Sequence, residues 1–278
     1  MHKPDTVSFS NGVLMDRLGY GLYKVSSEDA HGLCTLALEA GYRLLDTAAL
    51  YGNEEGVGQS VRDAVSDGHL DRSDIFVTSK VWNDCHGYRS TRDAFDESLA
   101  RLGLEYLDLY LIHWPCPGSD LYVESWRALE ELYHTGRVRA IGVSNFQRHH
   151  LERLLSETEV VPALNQVELH PLLQQHSLRE FNAAHGIITQ AWSPLGRGRL
   201  LSNPTITHIA AKHHRSAAQV ILRWHLQTGV TAVAKASSRE RITSNLDIGD
   251  FELDAVDMTA IGQLNADTRF GSHPDLVN

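Results

Sequence analysis

The chain alternates short apolar runs with longer stretches in which apolar residues recur every three to four positions. Leu107-Asp108-Leu109-Tyr110-Leu111-Ile112 typifies the runs: short and largely apolar. That is the pattern of strands covered by helices on both faces, as in parallel sheets. Such runs fall near 18–22, 43–46, 74–80, 107–113, 138–143, 163–168, 187–192 and 230–235. Helical spacing follows each in turn, near 27–40, 53–65, 91–101, 122–135, 147–157, 174–185, 205–227 (two pieces) and 239–246. Ser27 is placed to cap the first helix and Gly41 to stop it. Thr6–Ser10, the turn Asn11-Gly12 and Val13–Met15 predict a hairpin at the start. A last amphipathic stretch, 254–264, predicts an extra helix at the end.

Eight β/α repeats predict a closed (β/α)8 TIM barrel, an α/β fold with a short N-terminal β-hairpin and a C-terminal helix. A doubly wound open sheet is the alternative. If it bound a dinucleotide it would carry a Gly-rich turn after its first strand. Tyr23-Lys24-Val25-Ser26 stands there instead, no GxGxxG occurs, and Gly196-Arg197-Gly198 is not that fingerprint. No linker, repeat or low-complexity tract divides the chain, so residues 1–278 are expected to form one domain.

Composition narrows the function. A formal net charge of −10 argues against nucleic acid and anionic membranes as partners. No apolar run approaches the roughly 20 residues that cross a bilayer, and Met1–Asp5 has no apolar leader, so a cytoplasmic protein is expected. Cys34, Cys85 and Cys116 are widely spaced and odd in number, which suits a reducing compartment.

Four side chains carry the candidate chemistry. Asp46, Lys80 and His113 close predicted strands, and Tyr51 lies five residues after Asp46. Singly, each has a plain structural explanation: a cap, a packing ring, a solvated cation, a hydrogen-bonded imidazole. Those explanations do not predict that all four gather at the C-terminal rim, where barrel enzymes keep their catalytic groups. An acid, a cation, a carboxylate and an imidazole in one pocket suit proton donation to a carbonyl oxygen.

Gly41-Tyr42-Arg43-Leu44-Leu45-Asp46-Thr47-Ala48-Ala49-Leu50-Tyr51-Gly52-Asn53-Glu54-Glu55-Gly56-Val57-Gly58 resembles the aldo-keto reductase signature. Thr78-Ser79-Lys80-Val81-Trp82 and Leu111-Ile112-His113-Trp114-Pro115 resemble that family's lysine and histidine motifs. Gly142-Val143-Ser144-Asn145-Phe146 and Asn165-Gln166-Val167-Glu168-Leu169-His170-Pro171 resemble two of its cofactor segments. Tyr20–Val25 and Ser272-His273-Pro274-Asp275 bring the likeness nearest to the bacterial 2,5-diketo-D-gluconate reductase type.

The resemblance implies carbonyl reduction with NADPH/NADP+ by a tetrad: Tyr51 as general acid, Lys80 and Asp46 tuning it, His113 orienting the substrate oxygen. Free tyrosine ionises near pH 10, and a nearby ammonium lowers that value, so an acidified phenol is expected. The resemblance also implies that Ser144, Asn145 and Gln166 hold the nicotinamide amide and that Trp192 stacks on its ring, where many relatives carry Tyr. Ser193, Leu195 and Gly196 would line the pyrophosphate path. Lys235 and Arg241 would hold the 2′-phosphate and Asn245 the adenine. Independently, three cations near a helix start (Lys235, Arg239, Arg241) suit an anion. Ala236 replaces a hydroxyl residue usual in the family, which leaves NADH as a weaker alternative cofactor. Tyr23, Leu50, Trp82, Trp114 and Phe270 are the expected substrate walls, open enough for small dicarbonyls, keto-sugars and aldehydes. The expected partner is a small-molecule carbonyl substrate, with the chain a monomer.

Two rivals remain at this stage. A metal-dependent barrel hydrolase is suggested by 16 histidines, but His149-His150 and His213-His214 fall in helical segments and no HExxH occurs, so no metal is expected. A non-catalytic barrel used as a binding subunit would keep the fold without needing the tetrad.

Overall fold

The computed structural model describes residues 5–278; Met1–Pro4, the start of the segment read as lacking a leader, lies outside the described residues. Strands β1 (Thr6–Ser8) and β2 (Leu14–Asp16) pair antiparallel, Val7 opposite Met15. Eight more strands follow: β3 (Leu18–Gly21), β4 (Leu44–Asp46), β5 (Phe76–Val81), β6 (Leu107–Ile112), β7 (Val138–Ser144), β8 (Leu164–Glu168), β9 (Ile188–Trp192) and β10 (Thr231–Ala234). They close into a barrel in chain order, every neighbour parallel, with β10 returning beside β3. Around it run α1 (Ser27–Ala40), α2 (Glu54–Ser66), α3 (Tyr88–Leu102), α4 (Tyr122–His134), α5 (Arg148–Glu157), α6 (His176–Ala184), α7 (Pro204–His213), α8 (Ala217–Gln227) and α9 (Arg239–Leu246), with α10 (Ala255–Gly262) last.

Local chemistry sets the helix ends. Ser26, one residue earlier than expected, caps α1: its Oγ accepts from the Asp29 N–H at 3.1 Å, because Ser27 is already helical. Gly41 ends α1 at φ 110°, a left-handed conformation that costs a residue without Cβ little. The 205–227 stretch divides where His214 turns to φ 53° and Ser216 opens α8 with a capping box to Gln219.

The hairpin decides which end of the barrel works. Phe9 and Met15 are buried in one cluster with Leu44 and Phe76, which open their strands, and Ala163, just before β8. The Phe9 and Phe76 rings meet edge-on at 6.2 Å. Apolar plugging closes the N-terminal mouth, so groups at the strands' C-terminal ends face the open one. Among the described residues no helix is long and apolar enough to cross a membrane.

Candidate active site

The parallel register brings three tetrad positions to one rim. Asp46 ends β4, Lys80 is the penultimate residue of β5, and His113 follows the last residue of β6. Tyr51 ends a 3-10 turn, Ala49–Tyr51, that packs beside β5. The Lys80 ammonium is fully buried, 2.7 Å from Asp46 Oδ1 and 2.9 Å from the Thr47 carbonyl. It lies 5.1 Å from the centre of the Tyr51 ring. The His113 ring meets Tyr51 edge-on at 5.7 Å and Trp82 at 5.1 Å. The four predicted groups therefore converge.

Their ionisation is set mainly by burial. Burial pushes the Tyr51 phenol well above its ordinary value, reinforced by Asp46 and then Tyr23. The acidified phenol expected from sequence is thus not what the structure holds: burial outweighs the attraction of the Lys80 ammonium, which is paired with Asp46. Burial also lowers the Lys80 pKa, and the Asp46 carboxylate opposes that shift. His113 is held well below the imidazole range, by burial first and then by Lys80 and His86. It is neutral at pH 7.

Asp46, Tyr51 and His113 open onto a cavity of about 780 Å³ that reaches Lys235, Arg241 and Asn245 beyond β10. Ser144, Asn145, Gln166, Trp192, Ser193 and Leu195 line the stretch between. Ser144, Asn145, Gln166 and Trp192 form one network. Gln166 Nε2 donates to Asp46 Oδ2 and to Gln190 Oε1, both at 2.7 Å. Asn145 Nδ2 donates to the His113 carbonyl at 2.9 Å, and its Oδ1 accepts from the Trp192 indole N–H at 2.8 Å. Ser144 Oγ donates to the Gln166 carbonyl at 2.8 Å. Cofactor-binding candidates on β7, β8 and β9 are thereby locked to the catalytic candidates on β4 and β6.

Tyr23, Leu50, Trp82 and Trp114 line the same cavity near Tyr51, whose ring lies 5.2 Å from that of Tyr23. Phe270 and Gly196 do not line it. Phe270 stacks on His170 at 4.8 Å, and its backbone N–H is anchored to Glu168 Oε1 at 2.6 Å. Gly196 is a turn residue at φ 57° packed against Leu200 and Phe270. Lys80 lies below the surface, and Arg239 pairs with Glu39 at 2.9 Å instead of facing the cavity. Sequence reasoning missed Arg197, Glu240 and Ser216 to Ala218 at the start of α8, all lining residues. Arg197 stands in a 3-10 turn, Gly196–Gly198, at φ 54°.

Both histidine pairs gain a carboxylate neighbour: His213 Nε2 lies 2.7 Å from Asp257, which also holds Lys212. The C-terminal tail brings Asp275 to His149 and His150, with ligand atoms within 4.8 Å of one another. His150 Nδ1 already accepts the Gln147 N–H at 3.1 Å, so a neutral ring carries its hydrogen on Nε2 and offers no lone pair there to an ion.

Comparison with known proteins agrees with this geometry. The Aldo/keto reductase family model matches residues 17–266. Glyoxal reductase of Bacillus subtilis (strain 168) is 52% identical over 272 residues, covering 98% of this chain and 96% of that protein. Methylglyoxal reductase DkgA of Escherichia coli (strain K12) is 43% identical, covering 99% of this chain and 98% of its own. The crystal structure of a Gox0644 point mutant in complex with NADPH superposes with a TM-score of 0.94 at 46% identity, covering 100% of both chains. The chain belongs to the aldo/keto reductase family and is an oxidoreductase.

Proposed function

We propose that this chain reduces small aldehydes, ketones and dicarbonyls to alcohols with NADPH, Tyr51 donating the proton. The observation that carries the reading is a phenol and a neutral imidazole lining the same cavity as a cationic far end, above a buried lysine–aspartate pair. The donor set fits the cofactor. On the β9–β10 side the charged lining residues are Arg197, Lys235 and Arg241 against Glu240 alone, which favours a polyanion. Neutral amides from Asn145 and Gln166 stand at the other end, matched to a carboxamide. Two of the relatives carry names that specify glyoxal and methylglyoxal, and the open aromatic walls suit such small dicarbonyls.

When bound, NADPH supplies the hydride. The chain's residues handle the proton and the charge. Negative charge grows on the substrate oxygen as the carbonyl is reduced, and Tyr51 Oη gives that oxygen its proton. The raised pKa keeps the phenol protonated at neutral pH, as a donor must be, and an alkoxide is basic enough to take the proton. Neutral His113 can present an N–H to the same oxygen and share the developing charge. Lys80 limits the cost of the phenolate left behind.

Tyr51→Phe tests the assignment. Turnover with methylglyoxal should fall about 10²–10⁴-fold, the span of a lost general acid, while the Kd for NADPH stays within about twofold. Near-native turnover with intact NADPH binding would remove Tyr51 from the role.

A further inference from the structure

Tyr20 plays no part in the chemistry above, yet it is wholly buried, and the residue after it, Gly21, lines the cavity. Its ring packs edge-on against Tyr42 at 5.8 Å. Its hydroxyl donates to the Ala236 carbonyl at 2.6 Å, across 216 residues of sequence. The register explains the reach: Tyr20 lies opposite Ala234, so its side chain extends along β10 to the residue two beyond. Ala236 is buried, whereas Lys235 and Ser237 on either side are exposed.

We infer that Tyr20 is a positioning residue for NADPH selectivity, orienting the Ala236–Ser237 peptide so that the Ser237 N–H points to the side where Lys235 and Arg241 stand. The inference rests on the reading that those two cations hold the 2′-phosphate. A trans peptide is planar, with its C=O and N–H on opposite edges. Fixing the Ala236 carbonyl inward therefore aims the Ser237 amide outward. Burial pushes the Tyr20 ionisation upward, so it stays a donor at working pH.

The arrangement answers a deficit in the sequence. Ala236 brings no hydroxyl to the phosphate, and the Ser238 hydroxyl oxygen accepts from Arg241 Nε at 3.1 Å, which leaves only its own hydrogen to give. An outward backbone N–H supplies a donor whose direction the main chain fixes, whereas the Ser237 and Ser238 hydroxyls rotate. A buried phenol needs some partner in any case, and a carbonyl satisfies it. What separates positioning from mere satisfaction is selectivity between two cofactors that differ only by one phosphate.

The test is the Kd of NADPH and of NADH, read by quenching of tryptophan fluorescence, for wild type and Tyr20→Phe, which keeps the ring and its contact with Tyr42. The Kd for NADPH should rise about tenfold, as for one lost hydrogen bond to a charged group, and that for NADH by less than about twofold. An equal rise for both cofactors, or none for either, overturns the inference. Arg241→Ala, measured alongside, tests the parent reading separately: equal loss of both cofactors there would refute the phosphate assignment itself. Should Tyr20→Phe not fold, the wild-type amide resonance of Ser237 decides. It should shift on adding 2′,5′-ADP and stay put with 5′-AMP, and a silent amide refutes the inference.

Discussion

At the scale of single residues, the convergence of the four candidates was legible and their ionisation was not. Asp46, Tyr51, Lys80 and His113 stand in recognisable motifs, so a linear reading finds them. How far Lys80 offsets the burial of Tyr51 depends on the water lost around both groups, which no motif encodes. The outcome fixes the pH behaviour. Tyr51 is raised well above 10 and so stays protonated throughout the neutral range; His113 is lowered well below 6.5 and so stays neutral there. Neither group changes state between about pH 6.5 and 8.5. The kcat for carbonyl reduction should accordingly be flat across that window. A titration in kcat with a midpoint near 7.5 would show that one of the two ionises where burial says it should not.

At the scale of elements, patterning located the helices to within a few residues but said little about how closely they approach. Helix α2 shows this at Gly58. Helix propensity alone would make Gly58→Ala stabilising by about 1 kcal/mol. The structure reverses the sign. A Cβ at Gly58 would sit 1.8 Å from the Leu102 carbonyl oxygen at the end of α3. That neighbour is backbone, and Arg62 Nη1 donates to the same oxygen, so it cannot move aside cheaply. Gly58→Ala should therefore destabilise by about 1–3 kcal/mol or more, the cost of overpacking. A urea midpoint equal to or above wild type would mean that α2 and α3 separate more easily than this packing implies. The residues missed in the cavity belong to the same scale. Ser216 to Ala218 reach it because α8 starts at the mouth, and an amphipathic pattern marks which side of a helix is buried without marking what its first turn faces.

At the scale of the molecule, burial of histidines couples folding to acid. His225 is fully buried and lowered to about 3, and His86 and His150 are each lowered to about 4, in every case chiefly by burial. An unfolded histidine takes its proton near 6.5. Below that pH the unfolded chain binds protons that the folded chain does not, so stability is complete above about 6.5 and falls as the pH drops toward the folded values. Each such histidine contributes a slope of about 1.4 kcal/mol per pH unit in that window. His225→Gln removes one of them. Its unfolding free energy, followed by urea titration from pH 6.5 to 4, should fall less steeply than that of wild type by about that amount. Parallel curves would mean that His225 is protonated in the folded protein.

The sequence by itself determined the eightfold β/α alternation, the hairpin, the rim location of Asp46, Lys80 and His113, and the family, because periodicity and motif spacing are local properties of the chain. Only the tertiary structure decided that the hairpin plugs one mouth, that Arg239 turns to Glu39 and Phe270 to His170, that burial raises the Tyr51 pKa, and that Tyr20 grips Ala236. Those outcomes depend on distances between groups far apart in sequence and on the loss of water around them, and both come into being only when the barrel closes.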